Sequence, residues 1–533
     1  MVSLLFKGLE SPFMVVCAVV PVLFVSAIAY IVYQRYFHPL AAYPGPFLAS
    51  ITDLWQVSQF LGLKQPYNLT ELHEKHGPFV RYGPDKLSIT AEEVVALVYQ
   101  KGGRMMPKTE FYDAYGAAIP NVFGMRDEAA HSIRRRLMAH SFSISSVRGM
   151  EHYLDMNIRI MRRKIAKFAA QEQVFDLKKV LHYYTIDVLG ELAFGQSFGA
   201  QLKSDEEEAL VPPVVEHSWL AAVTGAWPSM TTTLKKLLPW VPHAGLQKLI
   251  KGRKECVELA TQCVQRSFDV LRQNTAADFE KSVDAKRKDI LTSLIQAKDP
   301  ETGAQLRQVD LETEAFGFII AGTHTTSATT SLLFYHLLHA PEILAKCVAE
   351  VDQSLERLNA SKLAYSMAEV ESSLPYLKTC IRENFRLTPV FTMPLARRIT
   401  APEGITIAGR HIKQGTSVAV CNHAFHHNPD IWGASHNVFD PSRWDIPEIN
   451  HRARYLMHFG LGGRQCIGKT IAQTNIYKLM STLLSEFQFE LASETERDAV
   501  SRGDFVGKLP ELISVGISDL KNPIWVTAKP RSS

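Results

Sequence analysis

The feature that most constrains this chain is an uncharged run at positions 13–33, FMVVCAVVPVLFVSAIAYIVY. As an α-helix it would be about 30 Å long, which is the thickness of the hydrocarbon core of a bilayer. A cleaved signal peptide is the alternative, but the run is long for one, and no convincing cleavage site precedes Gln34. Pro21 can kink such a helix, which membrane helices tolerate. We therefore expect residues 1–35 to be a permanent anchor with one transmembrane helix.

A proline-rich segment separates this anchor from the rest of the chain. Pro39, Pro44 and Pro46 exclude a regular helix and predict a stiff, extended connector over residues 36–46. The remaining residues, 47–533, are enough to build a sizeable core. The net charge of the chain is +4, and no basic repeat is interleaved with aromatic residues, so nucleic-acid binding is not expected.

The body of the chain is predicted to be mainly helical. Hydrophobic periodicity indicates long amphipathic helices within 127–170, 180–195, 245–275, 308–340 and 367–387. The strand-like segments are short. The clearest is ITIAGRHI at 405–412, which reads as a hairpin around Gly409 and Arg410, and TSVAV at 416–420 follows it.

One of the seven cysteines, Cys466, has unusual surroundings. The seven have no close CxxC spacing, which indicates a reducing compartment and mostly buried thiols. Cys466, however, lies in FGLGGRQCIGKT, residues 459–470, among four glycines that let backbone N–H groups approach a sulfur. A predicted helix follows directly, and its N-terminal end favours an anion. Cys466 could be a small buried hydrophobic residue or a nucleophile with a histidine partner, but a shielded thiolate suits a metal ligand better.

The pattern F-x-x-G-x-R-x-C-x-G, met by Phe459, Gly462, Arg464, Cys466 and Gly468, resembles the haem-binding loop of the cytochrome P-450 family. The resemblance runs from about residue 36 to the end of the chain and is nearest in style to microsomal, fungal members. It implies a mainly α fold with small β-sheets, an α-rich triangular prism, over residues 47–533. It also implies haem b as the cofactor, with Cys466 as the axial ligand of the iron.

A second motif agrees with this resemblance. Glu383 and Arg386 are three residues apart in ENFR, so they share one face of a predicted helix and can pair. FDPSRW supplies Arg443 further along the chain. In the family these three residues form a buried charge network behind the haem, and the removal of one member would leave a buried charge unpaired.

The helix predicted from residue 308 resembles the family's oxygen-binding groove. Ala321 and Gly322 are the small residues that leave room over the iron, and Thr325, with Thr326 beside it, matches the threonine that bonds dioxygen and relays protons. The residue before that threonine is usually acidic in the family, whereas here it is His324. His324 can carry protons near neutral pH, or it only shapes the groove. The sequence leaves both roles open.

Basic residues are expected to hold the two haem propionates through charge-assisted hydrogen bonds. His131 and Arg135 lie one helical turn apart, where the family often has Trp and Arg. Arg464 matches a third contact. In PLARRIT one of Arg397 and Arg398 adds a fourth, and the spacing favours Arg398.

The resemblance implies a monooxygenase that inserts one oxygen atom of O2 into a lipophilic small molecule, such as a fungal secondary metabolite. NADPH–cytochrome P-450 reductase is the expected electron donor, with cytochrome b5 as an optional second donor. Arg134, Arg136 and Lys469 could face that acidic partner. The expected location is the endoplasmic reticulum membrane, with a single pass and a cytosolic catalytic domain.

The substrate contacts are expected from 111–125, 211–230 and Val390–Met393, segments that are mostly apolar or aromatic. Two other functions are open: a haem-thiolate isomerase or dehydratase that needs no reductase, and a haem-binding protein without turnover. Members of the first kind tend to lose the Ala-Gly-x-x-Thr groove, which this chain keeps.

Overall fold

A computed structural model describes residues 12–100, 106–203, 211–273, 289–358 and 366–531, with backbone alone at 12–18 and 355–358. Residues 1–11 of the predicted anchor lie outside this range. The helices of the first half are α1 Pro12–Val32, α2 Phe47–Ile51, α3 Leu54–Leu61, α4 Gln65–His76, α5 Glu92–Val95, α6 Glu128–Ala139, α7 Ile144–Ala170, α8 Leu177–Phe194, α9 Val214–Gly225, α10 Thr231–Leu237 and α11 Ala244–Gln273. Those of the second half are α12 Ile290–Gln296, α13 Gln308–Leu338, α14 Pro341–Leu358, α15 Met367–Ser373, α16 Pro375–Leu387, α17 Asn422–His426, α18 Pro429–Trp432, α19 Pro447–His451, α20 Lys469–Glu486 and α21 Glu494–Ser501.

The strands are short and form small sheets. They are β1 Phe79–Gly83, β2 Lys86–Ile89, β3 Phe175–Asp176, β4 Arg397–Arg398, β5 Ile405–Ile407, β6 Arg410–Ile412, β7 Ser417–Ala419, β8 Phe487–Leu491, β9 Leu512–Ser514, β10 Ser518–Leu520 and β11 Trp525–Pro530. One sheet has the order β1-β2-β7-β4, in which β2 and β7 are parallel; a second has the order β3-β11-β8. β5 pairs with β6 in the expected hairpin, and β9 pairs with β10. The prediction of a mainly α fold with small sheets is confirmed.

Two of the predicted helices are interrupted, in each case by a local signal. The stretch 127–170 contains α6 and α7, because the Ser143 hydroxyl accepts a hydrogen bond from the Ser146 N–H and so caps a new helix. The stretch 367–387 contains α15 and α16, because Pro375 is the first residue of α16 and has no N–H for a continuous helix.

The long helix α13 runs through the main hydrophobic core. It packs against α8, α9, α11 and α16, and most of its side chains are buried. Its 31 residues span about 46 Å at 1.5 Å per residue. A helix of this length that is buried on most sides is held by the surrounding helices and can position residues along its whole length.

The N-terminal helix α1 is different because its apolar side chains face outward. Val22, Leu23 and Phe24 are 63–66% exposed. The segment Val19–Phe37 is long and apolar enough to cross a bilayer. An exposed apolar helix is unfavourable in water and favourable in lipid, so α1 fits a membrane anchor.

The connector after α1 is docked against the body, which corrects the expectation of a stiff, extended spacer. Its backbone makes turns at His38–Tyr43, and Leu40 and Tyr43 are buried. The Arg81 N–H of β1 donates to the Pro44 carbonyl of the connector at 2.7 Å, and the buried Arg81 guanidinium donates to the Gln34 carbonyl, which precedes the connector, at 2.8 Å. The prolines prevent a helix, as expected, but apolar side chains between them provide the contacts that fold the segment back.

Candidate functional site

A cavity with a volume of about 350 Å³ lies between the Cys466 loop and α13. Its walls are mostly apolar and aromatic. Residues from all three segments predicted to contact substrate line it, including Phe123 from 111–125, His217 from 211–230 and Phe391 from 390–393. A concave apolar site with a few polar groups is typical of a small-molecule site.

The Cys466 side chain opens into this cavity, whereas the other cysteines with described side chains are buried. Its own N–H donates to the Phe459 carbonyl at 2.8 Å, which closes the loop. Burial among protein atoms raises the pKa of the Cys466 thiol, although the N–H groups of Gly468 and Lys469 and the charge of Arg135 lower it. The sulfur is therefore held by main-chain donors, as the sequence indicated, and a bound metal ion would displace its proton.

The loop glycines differ in what they contribute. Gly462 has φ +64°, and a Cβ there would come within 2.2 Å of the Tyr99 carbonyl oxygen, so only glycine fits. Gly468 has φ −82° and caps α20, so its contribution is the N–H that reaches sulfur and not a left-handed backbone. Phe459 lines the cavity and packs edge-on against Phe385 of α16.

The four groove residues that the sequence predicted on α13 all line the cavity: Ala321, Gly322, Thr325 and Thr326. The Thr325 hydroxyl donates to the Ala321 carbonyl at 2.8 Å, one turn back along the helix. A Cβ on Gly322 would lie 2.6 Å from a methyl group of Leu189, so this glycine also allows α13 to pack closely on α8. The groove and a hydroxyl beside it are thus present where the sequence predicted them.

His324 does not reach the groove, which corrects its assignment as a catalytic residue there. Its Nε2 lies 3.0 Å from the Asp519 carboxylate of β10, and Lys178 of α8 lies 3.0 Å from the same carboxylate. Successive helix residues point about 100° apart, so when Thr325 faces the cavity His324 faces the core behind α13. Of the two roles that the sequence left open, the contacts favour a structural one.

A cluster of basic side chains lines the cavity, and sequence reasoning missed one of its members. The members are Lys108, His131, Arg135, Arg397 and Arg464. Burial and the neighbouring positive charges lower the pKa of His131 to about 3 and that of Lys108 well below its usual value. Lys108 lies in a segment without a recognisable motif, so the sequence carried no signal for it.

This basic cluster is short of negative charge. Within the part of the chain that the structure describes, Glu128 is the one carboxylate that pairs with any of its members, and it lies 2.7 Å from Arg464. Arg135 donates instead to the Gln465 carbonyl at 2.7 Å. Two carboxylates from a ligand would offset the repulsion among these buried cations.

The structure reverses the choice between Arg397 and Arg398. Arg397 is buried and lines the cavity, where it donates to the Tyr112 hydroxyl at 2.7 Å. Arg398 points away and pairs with Asp85 and Glu110. Side chains alternate along a strand, so only one of two adjacent arginines in β4 can face the cavity.

The predicted charge network is assembled next to the loop. The Glu383 carboxylate accepts from Arg386 at 2.6 and 3.0 Å and from Arg443 at 2.9 Å. All three side chains are at most 2% exposed. The network therefore joins α16 to the segment that precedes the cysteine loop.

Two basic residues that the sequence offered for an acidic partner are already paired. Arg134 is buried between Asp310 and Glu314 of α13, at 2.5 and 2.8 Å. Arg136 pairs with Asp299 at 2.7 Å. Lys469, at the start of α20, is the one of the three residues that we still expect to face an acidic partner.

These features together fit an iron porphyrin. The cavity offers one sulfur held by N–H groups, a helix with small residues, apolar walls and a basic cluster in which Glu128 is the one paired carboxylate among the described residues. Porphyrin iron accepts a thiolate ligand, and the two propionates of haem carry the charge that the cluster lacks.

Comparisons with known proteins agree with the site. The family model described as "Cytochrome P450" matches residues 44–516. A "Cytochrome P450 monooxygenase gsfF" of Penicillium aethiopicum is 29% identical over 88% of this chain and 92% of its own length. A "Cytochrome P450 monooxygenase" of Aspergillus terreus is 30% identical over 89% and 94%. A "Pisatin demethylase" of Fusarium vanettenii is 27% identical over 90% and 89%. The chain therefore belongs to the cytochrome P-450 family of haem-containing monooxygenases.

Proposed function

We propose that this chain is a membrane-anchored haem b monooxygenase that oxidises a lipophilic small molecule in fungal secondary metabolism. The electrons come from NADPH through cytochrome P-450 reductase, with cytochrome b5 as an optional second donor. The anchor is residues 1–35, and the catalytic domain, residues 47–533, lies on the cytosolic side of the endoplasmic reticulum membrane. The observation that carries the proposal is that the Cys466 sulfur and the Thr325 groove line the same apolar cavity.

In this proposal each part of the cavity has one task. Cys466 ligates the iron, and Phe459 and Phe385 shield the sulfur from water. The basic cluster holds the propionates, and the α13 groove leaves room for oxygen. Haem ligated by a thiolate supplies the cleavage of the O–O bond. The protein contributes binding, orientation and the exclusion of water.

The proposed substrate is lipophilic because most of the wall is apolar. Val122, Leu189 and Ile320, from three separate elements, all contribute aliphatic surface to the cavity. Burial of apolar substrate surface stabilises the complex by about 25 cal/mol per Å². The fungal relatives support secondary metabolism as the setting.

Thr325 is proposed to hold and pass protons at its hydroxyl oxygen. We expect Thr325→Ala to lower the product formed per NADPH by about one to two orders of magnitude, with the electrons appearing as hydrogen peroxide, because a positioned proton donor is lost. The measurement is product and peroxide per NADPH consumed. Thr323→Ala is the matched control, because the Thr323 hydroxyl makes the same type of bond, to Ile319 at 2.7 Å, but faces the core. Equal coupling in the two variants would contradict this role.

Arg397 and Arg398 offer a matched pair for the propionate assignment. We expect Arg397→Gln to speed haem loss by about 10- to 100-fold, because a charge-assisted hydrogen bond contributes about 1.5–3 kcal/mol. Arg398→Gln should leave the rate near that of the wild type, since its partners Asp85 and Glu110 lie outside the cavity. Transfer of haem to apomyoglobin, followed by absorbance, measures the rate. A larger effect at Arg398 would restore the choice that the sequence favoured.

The reaction type is tested with labelled oxygen. In a monooxygenation, substrate, O2, NADPH and a proton give hydroxylated product, water and NADP⁺, so one atom from ¹⁸O₂ enters the product. The assay combines the full chain in vesicles, the reductase and a panel of lipophilic small molecules, which includes fungal metabolites and also pisatin because a relative is named for it. Turnover without reductase and without label would favour the isomerase or dehydratase. Haem binding without any turnover or substrate-induced spectral change would favour the non-catalytic alternative.

A further inference from the structure

Two buried polar side chains that line the cavity have hydrogen-bond donors for which the described residues provide no acceptor. They are His217 of α9 and Asn121 of the loop that precedes α6. His217 is 0% exposed and Asn121 is 5% exposed, and both line the cavity. A buried polar group without a partner is costly, so its retention requires an explanation.

The tautomer of His217 is set by its neighbour Arg253 of α11. Arg253 Nη1 lies 3.2 Å from His217 Nδ1. A guanidinium only donates hydrogen bonds, so Nδ1 accepts, and in a neutral ring the hydrogen is on Nε2. Burial, with the charges of Arg253 and Lys235, holds the pKa of His217 well below its usual value, so the ring is neutral. Among the described residues Nε2 has no hydrogen-bond partner.

Arg253 is itself fixed in place. It donates to the Gly116 carbonyl at 2.6 Å, and its guanidinium lies 5.6 Å from the centre of the Phe316 ring. The preceding Gly252 allows α11 to approach α9 closely, because a Cβ there would lie 2.6 Å from Glu216. If the His217 ring turned to direct Nδ1 into the cavity, it would therefore lose its hydrogen bond with Arg253.

Asn121 presents a second donor in the same region. Its Oδ1 accepts from the Gly124 N–H at 2.8 Å, which directs its amide NH2 the other way. That NH2 group has no hydrogen-bond partner in the described part of the chain, and it lies next to Gly317 of α13. The His217 ring packs on Phe316, the adjacent residue, with ring centres 4.8 Å apart. The two side chains thus contact adjacent residues of α13, so they lie at nearly the same height along the axis of this helix.

We propose that the substrate carries an oxygen that accepts hydrogen bonds from His217 Nε2–H and Asn121 Nδ2–H. Carbonyl, lactone and quinone oxygens belong to this chemical class. This inference rests on the proposed function and deepens it, because it fixes how the substrate is oriented. From the level of Gly317 to those of Ala321 and Thr325, α13 rises by about 6 and 12 Å. Measured along the axis of α13, the acceptor oxygen is therefore about 6–12 Å from the groove residues.

The test uses two ligands of nearly identical shape, 1-(4-acetylphenyl)imidazole and 1-(4-isopropenylphenyl)imidazole. In both, the imidazole nitrogen binds the haem iron and shifts the Soret band, so titration of the purified full-length holoprotein gives a dissociation constant without turnover. Only the first carries a carbonyl oxygen at its far end. We expect the wild type to prefer the acetyl ligand by about tenfold, the worth of one to two net hydrogen bonds.

The variants separate the donors from the fold. His217→Phe keeps a ring and removes the donor, and Asn121→Asp keeps the oxygen that Gly124 needs and removes the amide donor. Each should reduce the preference at least about threefold, and together they should abolish it. Trp219→Phe is the control on the same helix, because the Trp219 indole bonds the Phe60 carbonyl, away from the cavity. It should keep the full preference.

The outcomes are distinguishable. Equal affinity for the two ligands in the wild type, or a preference that survives in the double variant, would overturn this inference and leave the proposed function intact. Absence of a Soret band from the purified protein would instead overturn the haem site. If His217→Phe does not fold, Asn121→Asp alone decides, because it leaves α9 unchanged.

Discussion

Replacement of Cys466 by serine is expected to remove the red-shifted carbon-monoxide difference band that thiolate ligation of haem produces. Serine has nearly the same shape, but its oxygen donates less electron density to iron than a thiolate does. Product formation should fall by more than the roughly 10- to 100-fold loss that removal of outer-shell residues of a metal site causes. The measurements are the carbon-monoxide difference spectrum and the turnover of the purified full-length protein.

The matched control for this experiment is Cys421→Ser. Cys421 is fully buried and does not line the cavity, so the same chemical change there should leave the band in place. The variant should show at most a loss of stability, since a polar hydroxyl replaces a buried thiol. A thiolate-type band in Cys466→Ser, or its loss in Cys421→Ser alone, would contradict the assignment of the ligand.

The cysteine loop could be predicted from the sequence because its chemistry is contiguous. Phe459, Gly462, Cys466 and Gly468 lie within one short segment, and the local backbone alone brings the N–H groups to the sulfur. The helices α7 and α11 could likewise be predicted, since each carries apolar residues along one face. The loop and these helices depend on interactions between residues that are close in sequence, and such interactions can be inferred from the sequence alone.

The failures around the cavity concern the direction in which a side chain points. The choice between Arg397 and Arg398 depends on the phase of a two-residue strand, which the sequence does not specify. His324 is next to the groove residue Thr325, but the helix turns it towards Asp519, which is 195 residues away. Lys108 enters the basic cluster through tertiary folding alone. The positions of most functional residues along the chain could be predicted, whereas the directions of their side chains could be seen only in the packed structure.

The buried network around Glu383 carries the second large expected effect. Glu383→Gln keeps the shape of the side chain but leaves Arg386 and Arg443 as buried charges without a counter-charge. Such a change typically costs about 3–5 kcal/mol. Because whole proteins are stable by only about 5–15 kcal/mol, we expect a large fall in the urea midpoint or a failure to accumulate folded protein.

A loss of haem should accompany the loss of stability, because the network adjoins the cysteine loop. On α16, Phe385 lies between Glu383 and Arg386 and stacks on His458 with ring centres 4.0 Å apart. The next residue, Phe459, begins the loop that holds Cys466. A displaced α16 would therefore displace the loop, so haem content and the urea midpoint should fall together.

Replacement of this network by apolar residues would itself lower the free energy of unfolding. Some buried ion pairs in other proteins can be replaced in this way without such a loss. Arg386 donates to the carbonyls of His426 and His436 at 2.9 and 2.7 Å, and Arg443 donates to those of Trp432 and Ser435 at 2.9 and 2.7 Å. An all-methionine replacement would remove the charges but leave four carbonyls without these donors. We therefore expect it to remain destabilised relative to the wild type.

A surface pair provides the control for Glu383→Gln. Glu490 and Lys529 lie 3.3 Å apart with both side chains substantially exposed, so Glu490→Gln should change the free energy of unfolding by less than about 1 kcal/mol. Glu383→Asp keeps the charge but shortens the side chain. Its urea midpoint should therefore lie between those of Glu383→Gln and Glu490→Gln. Urea unfolding followed by Soret absorbance and circular dichroism ranks the three variants. Equal urea midpoints for Glu383→Gln and Glu490→Gln would show that the buried network does not hold the loop. Two buried arginines without a counter-charge should destabilise the protein far more than the loss of a solvent-exposed ion pair.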